Sequence, residues 1–183
     1  MRPDRGAGVP RWVCGVANLR VLASFDTRRS PQALTHATTE TIEVLLVEDD
    51  EDHAELVRRN LTSQTVRCHI THLNNGESAL DYLHQRGEFK DPGSSPRPDL
   101  ILLDLRLPRV DGMTVLTEIK STPLIQTIPV VILTSSDADP DISQAYLRHA
   151  NSYLVKPLDL TSFEGLMKEL GLYWFTWNQI PRA

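Results

Sequence analysis

Residues 99–112 read DLILLDLRLPRVDG. Leu100 to Leu103 form an unbroken apolar run that stops at Asp104. The run is shorter than an ordinary helix and has no polar face, so it suits a strand buried on both sides. IPVVILTSS, residues 128–136, has the same character and ends in hydroxyls. Strands of this kind belong to parallel sheets covered by helices on both faces.

The flanking sequence supplies the helices. EVLLVE (43–48) reads as a strand, and DHAELVRRNLTS (52–63) places Ala54, Val57 and Leu61 on one helical face. RCHITHL (67–73) is a second strand, NNG a turn, and ESALDYLHQRG (77–87) a helix with Gly87 as its end signal. GMTVLTEIKS (112–121) turns Val115, Leu116 and Ile119 inward. DPDISQAYLRHA (139–150) opens a helix with Pro140 in its first turn. SYLV (152–155) is a short strand, and LTSFEGLMKELGLYWFTW (160–177) is the last helix. These are five βα units, and right-handed crossovers make them a doubly wound, five-stranded parallel α/β sheet.

Such sheets work at the carboxyl ends of their strands. There the sequence puts Glu48 and Asp49, then Asp104, then Thr134, then Lys156 followed by Pro157. Crowded carboxylates call for a cation. Hard oxygen ligands on a half-open site suit Mg2+ or Mn2+, whose shell is completed by water and substrate phosphate. Lys156 and the Thr134 hydroxyl then read as partners of a phosphoryl group, where catalysis is mainly positioning and charge neutralisation. Asp50, Glu51 and Asp52 open the next helix, where negative charge is favourable.

Composition bounds the alternatives. The 183 residues are 40% hydrophobic, enough for a packed core. A net charge of −5 with no basic run argues against nucleic acid as a partner. No apolar stretch approaches the roughly 20 residues that span a bilayer. Cys14 and Cys68 lack metal spacing and fit a reducing cytoplasm. His69 and His72 have no second ligand pair beside them. Residues 1–41, rich in Arg, Pro, Ser and Thr around a mildly apolar stretch, are expected to be a disordered extension.

The segments VLLVEDD, LLDLRLPRVDG, VVILTSS and YLVKP, in this order and each at the end of an expected strand, resemble the receiver domain of two-component response regulators, the CheY-like family. The resemblance covers about residues 42–172, leaving 173–183 as an aromatic extension of the last helix. It implies the flavodoxin-like strand order 2-1-3-4-5. It implies that Asp104 accepts phosphate from a phosphohistidine of a sensor histidine kinase. Asp49 matches a direct metal ligand, Glu48 a ligand acting through water, and the Arg106 carbonyl a further ligand. Thr134 matches the switch hydroxyl, Tyr153 the switch aromatic, and Lys156 the family lysine, with a cis Lys156–Pro157 bond. Arg106 and Ser136 hold positions that tune acyl-phosphate hydrolysis in the family. Arg106 has two orientations open to it, over the phosphoryl group or out into solvent.

After YLVKP the sequence runs only to Ala183, so the expectation is a lone receiver with no output domain, acting through protein contacts. The long connection RGEFKDPGSSPRPD, the tail LGLYWFTWNQIPR and the segment ANSYLVKPLDL look like receivers partnered with bacterial phytochrome kinases. The aromatic tail either caps the last face or extends an interface. A homodimer through the fourth helix, fifth strand, last helix and tail is the favoured expectation. The competing readings are a pseudo-receiver that binds partners without phosphorylation, and an Asp-nucleophile phosphohydrolase of the haloacid-dehalogenase type using the D-E-D of residues 50–52.

Overall fold

A computed structural model describes residues 41–62 and 67–179. Cys14, all but the last residue of the extension expected over residues 1–41, and residues 180–183 lie outside that range. The elements are β1 (Ile42–Val47), α1 (Glu51–Thr62), β2 (Cys68–Leu73), α2 (Gly76–Leu83), β3 (Leu100–Leu103), α3 (Gly112–Ser121), β4 (Val130–Thr134), α4 (Asp139–Leu147), β5 (Ser152–Val155) and α5 (Leu160–Leu172). All strands pair in parallel, in the order β2-β1-β3-β4-β5.

The period-two geometry of a strand sorts the central residues between two cores. Leu45, Val47, Ile101, Leu103, Val130 and Ile132 face α2, α3 and α4. Val44, Leu46, Leu100, Leu102, Val131 and Leu133 face α1 and α5. All twelve are buried, which is why β1, β3 and β4 read as continuous apolar runs. Each such side chain contributes about 1.5–3 kcal/mol relative to exposure. The helical faces expected from spacing are the buried ones: Ala54, Val57 and Leu61 on α1, and Val115, Leu116 and Ile119 on α3.

Helix ends differ from expectation in instructive ways. α2 stops at Leu83, before Gly87. Gln85 takes the left-handed conformation (φ 52°), and the Gln85 and Arg86 amides donate back to the Tyr82 and Asp81 carbonyls. That pair of hydrogen bonds closes the helix without a glycine. Gly87 (φ 57°) instead opens a short 3-10 turn, Gly87–Phe89. Within NNG, Asn75 caps α2 by accepting from the Ser78 amide.

The aromatic tail divides. After Leu172 the chain widens into a π-helical turn, Tyr173–Trp177, closed by the Asn178 amide on the Tyr173 carbonyl at 2.8 Å. The wider turn breaks the 3.6-residue register. Trp174 and Phe175 consequently pack into the α1–α5 core, while Tyr173 (54% exposed) and Trp177 (72% exposed) face solvent. Trp174 and Phe175 thus cap the last face, as one expectation for the tail had it.

Every peptide bond among the described residues is trans, including Lys156–Pro157, contrary to the expected cis bond. The extended backbone favoured before proline is enough here. The Lys156 amide continues the β4–β5 ladder onto the Thr134 carbonyl at 2.8 Å, and this already aims the side chain at the acids.

Candidate functional site

Parallel order brings the carboxyl ends of β1, β3, β4 and β5 to one edge of the sheet. Asp104 follows β3 directly and is buried. Lys156 follows β5, and its Nζ donates to Glu48 Oε2 and to Asp104 Oδ2, each at 2.6 Å. All three side chains are almost fully enclosed. The Arg106 amide donates to Asp104 Oδ1 at 3.2 Å, while the Arg106 side chain is exposed. Asp49 lies at the open rim.

These charges do not balance. Carboxylate oxygens of Glu48, Asp49 and Asp104 lie within 4.8 Å of one another, facing one ammonium. Glu48 Oε1 is buried and accepts no hydrogen bond, with His53 Nδ1 3.6 Å away. A buried acceptor without a donor costs about 1–3 kcal/mol, so the site suits a positive partner. Glu48, Asp49 and Asp104 can hold a divalent cation, and an all-oxygen set favours Mg2+ or Mn2+.

The two buried acids are displaced from their ordinary pKa values in opposite directions. Burial pushes the Glu48 carboxyl up; the Lys156 hydrogen bond and charge pull it down without overcoming burial, and the Asp104 charge adds to the rise. Burial also pushes Asp104 up, but there the Lys156 hydrogen bond and charge, the Thr134 hydroxyl and the Arg106 amide win, and hold it below the ordinary aspartate value. Asp104 is thus an ionised carboxylate in an enclosed place, as a nucleophile requires.

Thr134 closes β4 and is fully buried. Tyr153 does not join the acids: its ring packs against the α2–α3 core and its hydroxyl donates to the Ser136 carbonyl at 3.0 Å. His69 and His72, three apart on β2, point to opposite faces and bond separately, His69 to Glu43 and His72 to the Glu48 carbonyl. Asp50 accepts from the Asp52 and His53 amides, so the D-E-D of residues 50–52 is a helix start. Two residues near the site escaped the sequence reading. His53 was absorbed into the α1 pattern. Asp141, in the first turn of α4, accepts from the Ser136 hydroxyl two residues after Thr134, and no periodicity announces that.

Fold and site together define a signalling receiver. The family model for the response regulator receiver domain matches residues 44–168, and the chain belongs to that family. The probable methanogenesis regulatory protein FilR2 of Methanothrix harundinacea is 42% identical over 138 residues, covering 75% of this chain and 86% of the relative. Response regulator Rcp1 of Synechocystis is 39% identical over 140 residues, covering 76% and 93%. Among solved structures, the phosphorylated cyanobacterial phytochrome response regulator RcpA superposes with a TM-score of 0.75 at 36% identity, over 78% of this chain and all of the other. The Mn2+-bound form of Rcp1 gives 0.74 at 38% identity, over 77% and 99%.

Proposed function

We propose that this receiver accepts a phosphoryl group on Asp104 from the phosphohistidine of a sensor histidine kinase, of the phytochrome-like type. The observation that carries the reading is the buried Asp104 carboxylate, held ionised by Lys156 beside a Glu48 oxygen that lacks a donor. An Asp104 oxygen attacks phosphorus, the P–N bond breaks, and its electron pair returns to the imidazole, leaving an acyl phosphate. Lys156 offers its ammonium to the new phosphoryl oxygens, and Thr134 offers its hydroxyl. Mg2+ or Mn2+ on Glu48, Asp49, Asp104 and the Arg106 carbonyl would neutralise the gathered negative charge. The receiver turns over only its own phosphate, at this one residue.

The signal leaves by protein contact. α4, β5, α5 and the tail expose Tyr146, Leu147, Val155, Tyr173 and Trp177, a concentration of apolar surface suited to a second copy of the chain. Work in the cytoplasm, on partners other than nucleic acid, accords with the acidic balance and the absence, among the described residues, of a helix able to cross a membrane.

The test is labelling with a small phosphodonor such as acetyl phosphate. Incorporation should need Mg2+ or Mn2+ and vanish in Asp104→Asn. Wild-type protein that stays unlabelled at saturating donor would overturn the reading in favour of a phosphorylation-independent module.

A further inference from the structure

Two consecutive residues of β2 take up both main-chain polar groups of Glu48. The Glu48 amide donates to the Leu73 carbonyl at 3.0 Å, and the Glu48 carbonyl lies 2.8 Å from His72 Nε2. A carbonyl only accepts, so Nε2 carries the proton and donates it. The His72 side chain is 10% exposed, which leaves water little room to compete for this bond. Its other ring nitrogen, 3.9 Å from Glu51 Oε2, is beyond hydrogen-bond reach.

Other hydrogen bonds fasten the chain just before and just after this point. The Asp104 amide holds the Val47 carbonyl at 3.0 Å, and Asp50 Oδ1 accepts from the Asp52 and His53 amides to start α1. Asp49 lies between. Its carboxylate is exposed and, among the described residues, takes part in no hydrogen bond. The Glu48 carboxylate, by contrast, is already held by Lys156. The peptide unit that joins Glu48 to Asp49 is planar, with the Glu48 carbonyl oxygen and the Asp49 Cα in one plane. A donor that fixes the oxygen therefore fixes the direction in which Asp49 sets out.

We propose that His72 is a positioning residue for the divalent cation: by holding the Glu48 carbonyl it keeps Asp49 aligned at the rim, opposite Glu48 and Asp104, before the cation arrives. His72 touches neither the cation nor the reacting atoms, and acts only through the main chain between β1 and α1. A ligand already in place needs no ordering when the ion binds, so the bond is felt as affinity. The assignment rests on Glu48, Asp49 and Asp104 as the ligands of the cation, and not on the transfer of a phosphoryl group.

The probe is Mn2+, followed through the loss of its free-ion electron paramagnetic resonance signal as the full chain is added. His72→Leu, which fills the space without a donor, should bind Mn2+ on the order of three- to tenfold more weakly than wild type, the equivalent of losing one modest hydrogen bond. His72→Gln, whose amide nitrogen stands about where Nε2 stands, should recover most of that loss. Ile70→Ala, two residues earlier on β2, removes packing from the α1–α5 core. It should lower the unfolding midpoint and leave the affinity at the wild-type value. A merely structural His72 predicts that His72→Leu and Ile70→Ala behave alike and that glutamine rescues nothing. That pattern, a loss that glutamine does not recover, or no loss at all in His72→Leu overturns the assignment and spares the cation site. If wild type itself takes up no Mn2+, the cation site falls, and the part of His72 in it falls as well.

Discussion

At the scale of single residues, Lys156 has the most to do. It compensates two buried carboxylates at once, so removing it leaves both uncovered. Lys156→Met should cost about 3–5 kcal/mol in denaturant unfolding without metal, and Mg2+ should return a good part of that loss. An unfolding midpoint equal to wild type would show that the acids are solvated or protonated instead. Arg109 offers a contrasting case. It sits at φ 66° with its guanidinium on Glu77 at 2.7 Å, both side chains exposed. An exposed pair is worth about 0–1 kcal/mol, much like the strain it accompanies. Arg109→Gly should therefore stay within about 1 kcal/mol of wild type, and Arg109→Val should be less stable than Arg109→Gly by about 1–2 kcal/mol, because a β-branched residue resists that conformation.

At the scale of elements, the β3–α3 connection decides where Asp104 stands. A Cβ on Gly112 would lie 2.0 Å from the Asp104 carbonyl and 2.7 Å from Leu105 Cα, both rigid backbone. Gly112→Ala must displace Asp104, and should weaken Mg2+ binding measured by calorimetry as well as lower stability. The same connection starts α3 with Asp111, whose carboxylate accepts from the Thr114 hydroxyl and amide. Those bonds, the hydroxyl's first, hold its pKa below the ordinary value. Because the folded pKa is the lower one, the cap's contribution is whole above the unfolded pKa near 4 and fades as pH falls through the folded value. Asp111→Ala should thus cost about 1 kcal/mol at pH 7, with the gap from wild type narrowing only in acid. The elements themselves were legible because hydrophobic period reports burial directly. Their ends were less so. Gln85 took the left-handed turn expected of Gly87, since the amides of Gln85 and Arg86 could bond back to the helix. The split of the tail depended on a π turn that tertiary packing, and no local pattern, selects.

At the scale of the whole molecule, the site was readable because topology is simple: once five parallel strands are granted, whatever follows each strand must meet. Glu48, Asp49, Asp104, Thr134 and Lys156 needed nothing more. Asp141, which in the first turn of α4 accepts from the Ser136 hydroxyl, follows no strand end and so had nothing to announce it. The exposed face of α4, β5 and the tail carries the remaining prediction. Because Trp174 and Phe175 are core residues, truncation at Tyr173 would damage the fold along with any interface. Leu147→Asp with Trp177→Ser leaves the core alone and should shift the protein toward monomer in sedimentation velocity. An unchanged mass would place the docking surface elsewhere.

The sheet keeps its two cores apart, and that separation has a consequence for descent. Side chains from β1, β3 and β4 alternate between two layers that meet only through backbone. A change of volume above the sheet has no side chain below it to disturb, so substitutions in opposite layers should add independently. Lineages can then rework the layer under α1 and α5 while the layer under α2, α3 and α4 stays fixed, and the acids at the strand ends keep their places through both kinds of drift.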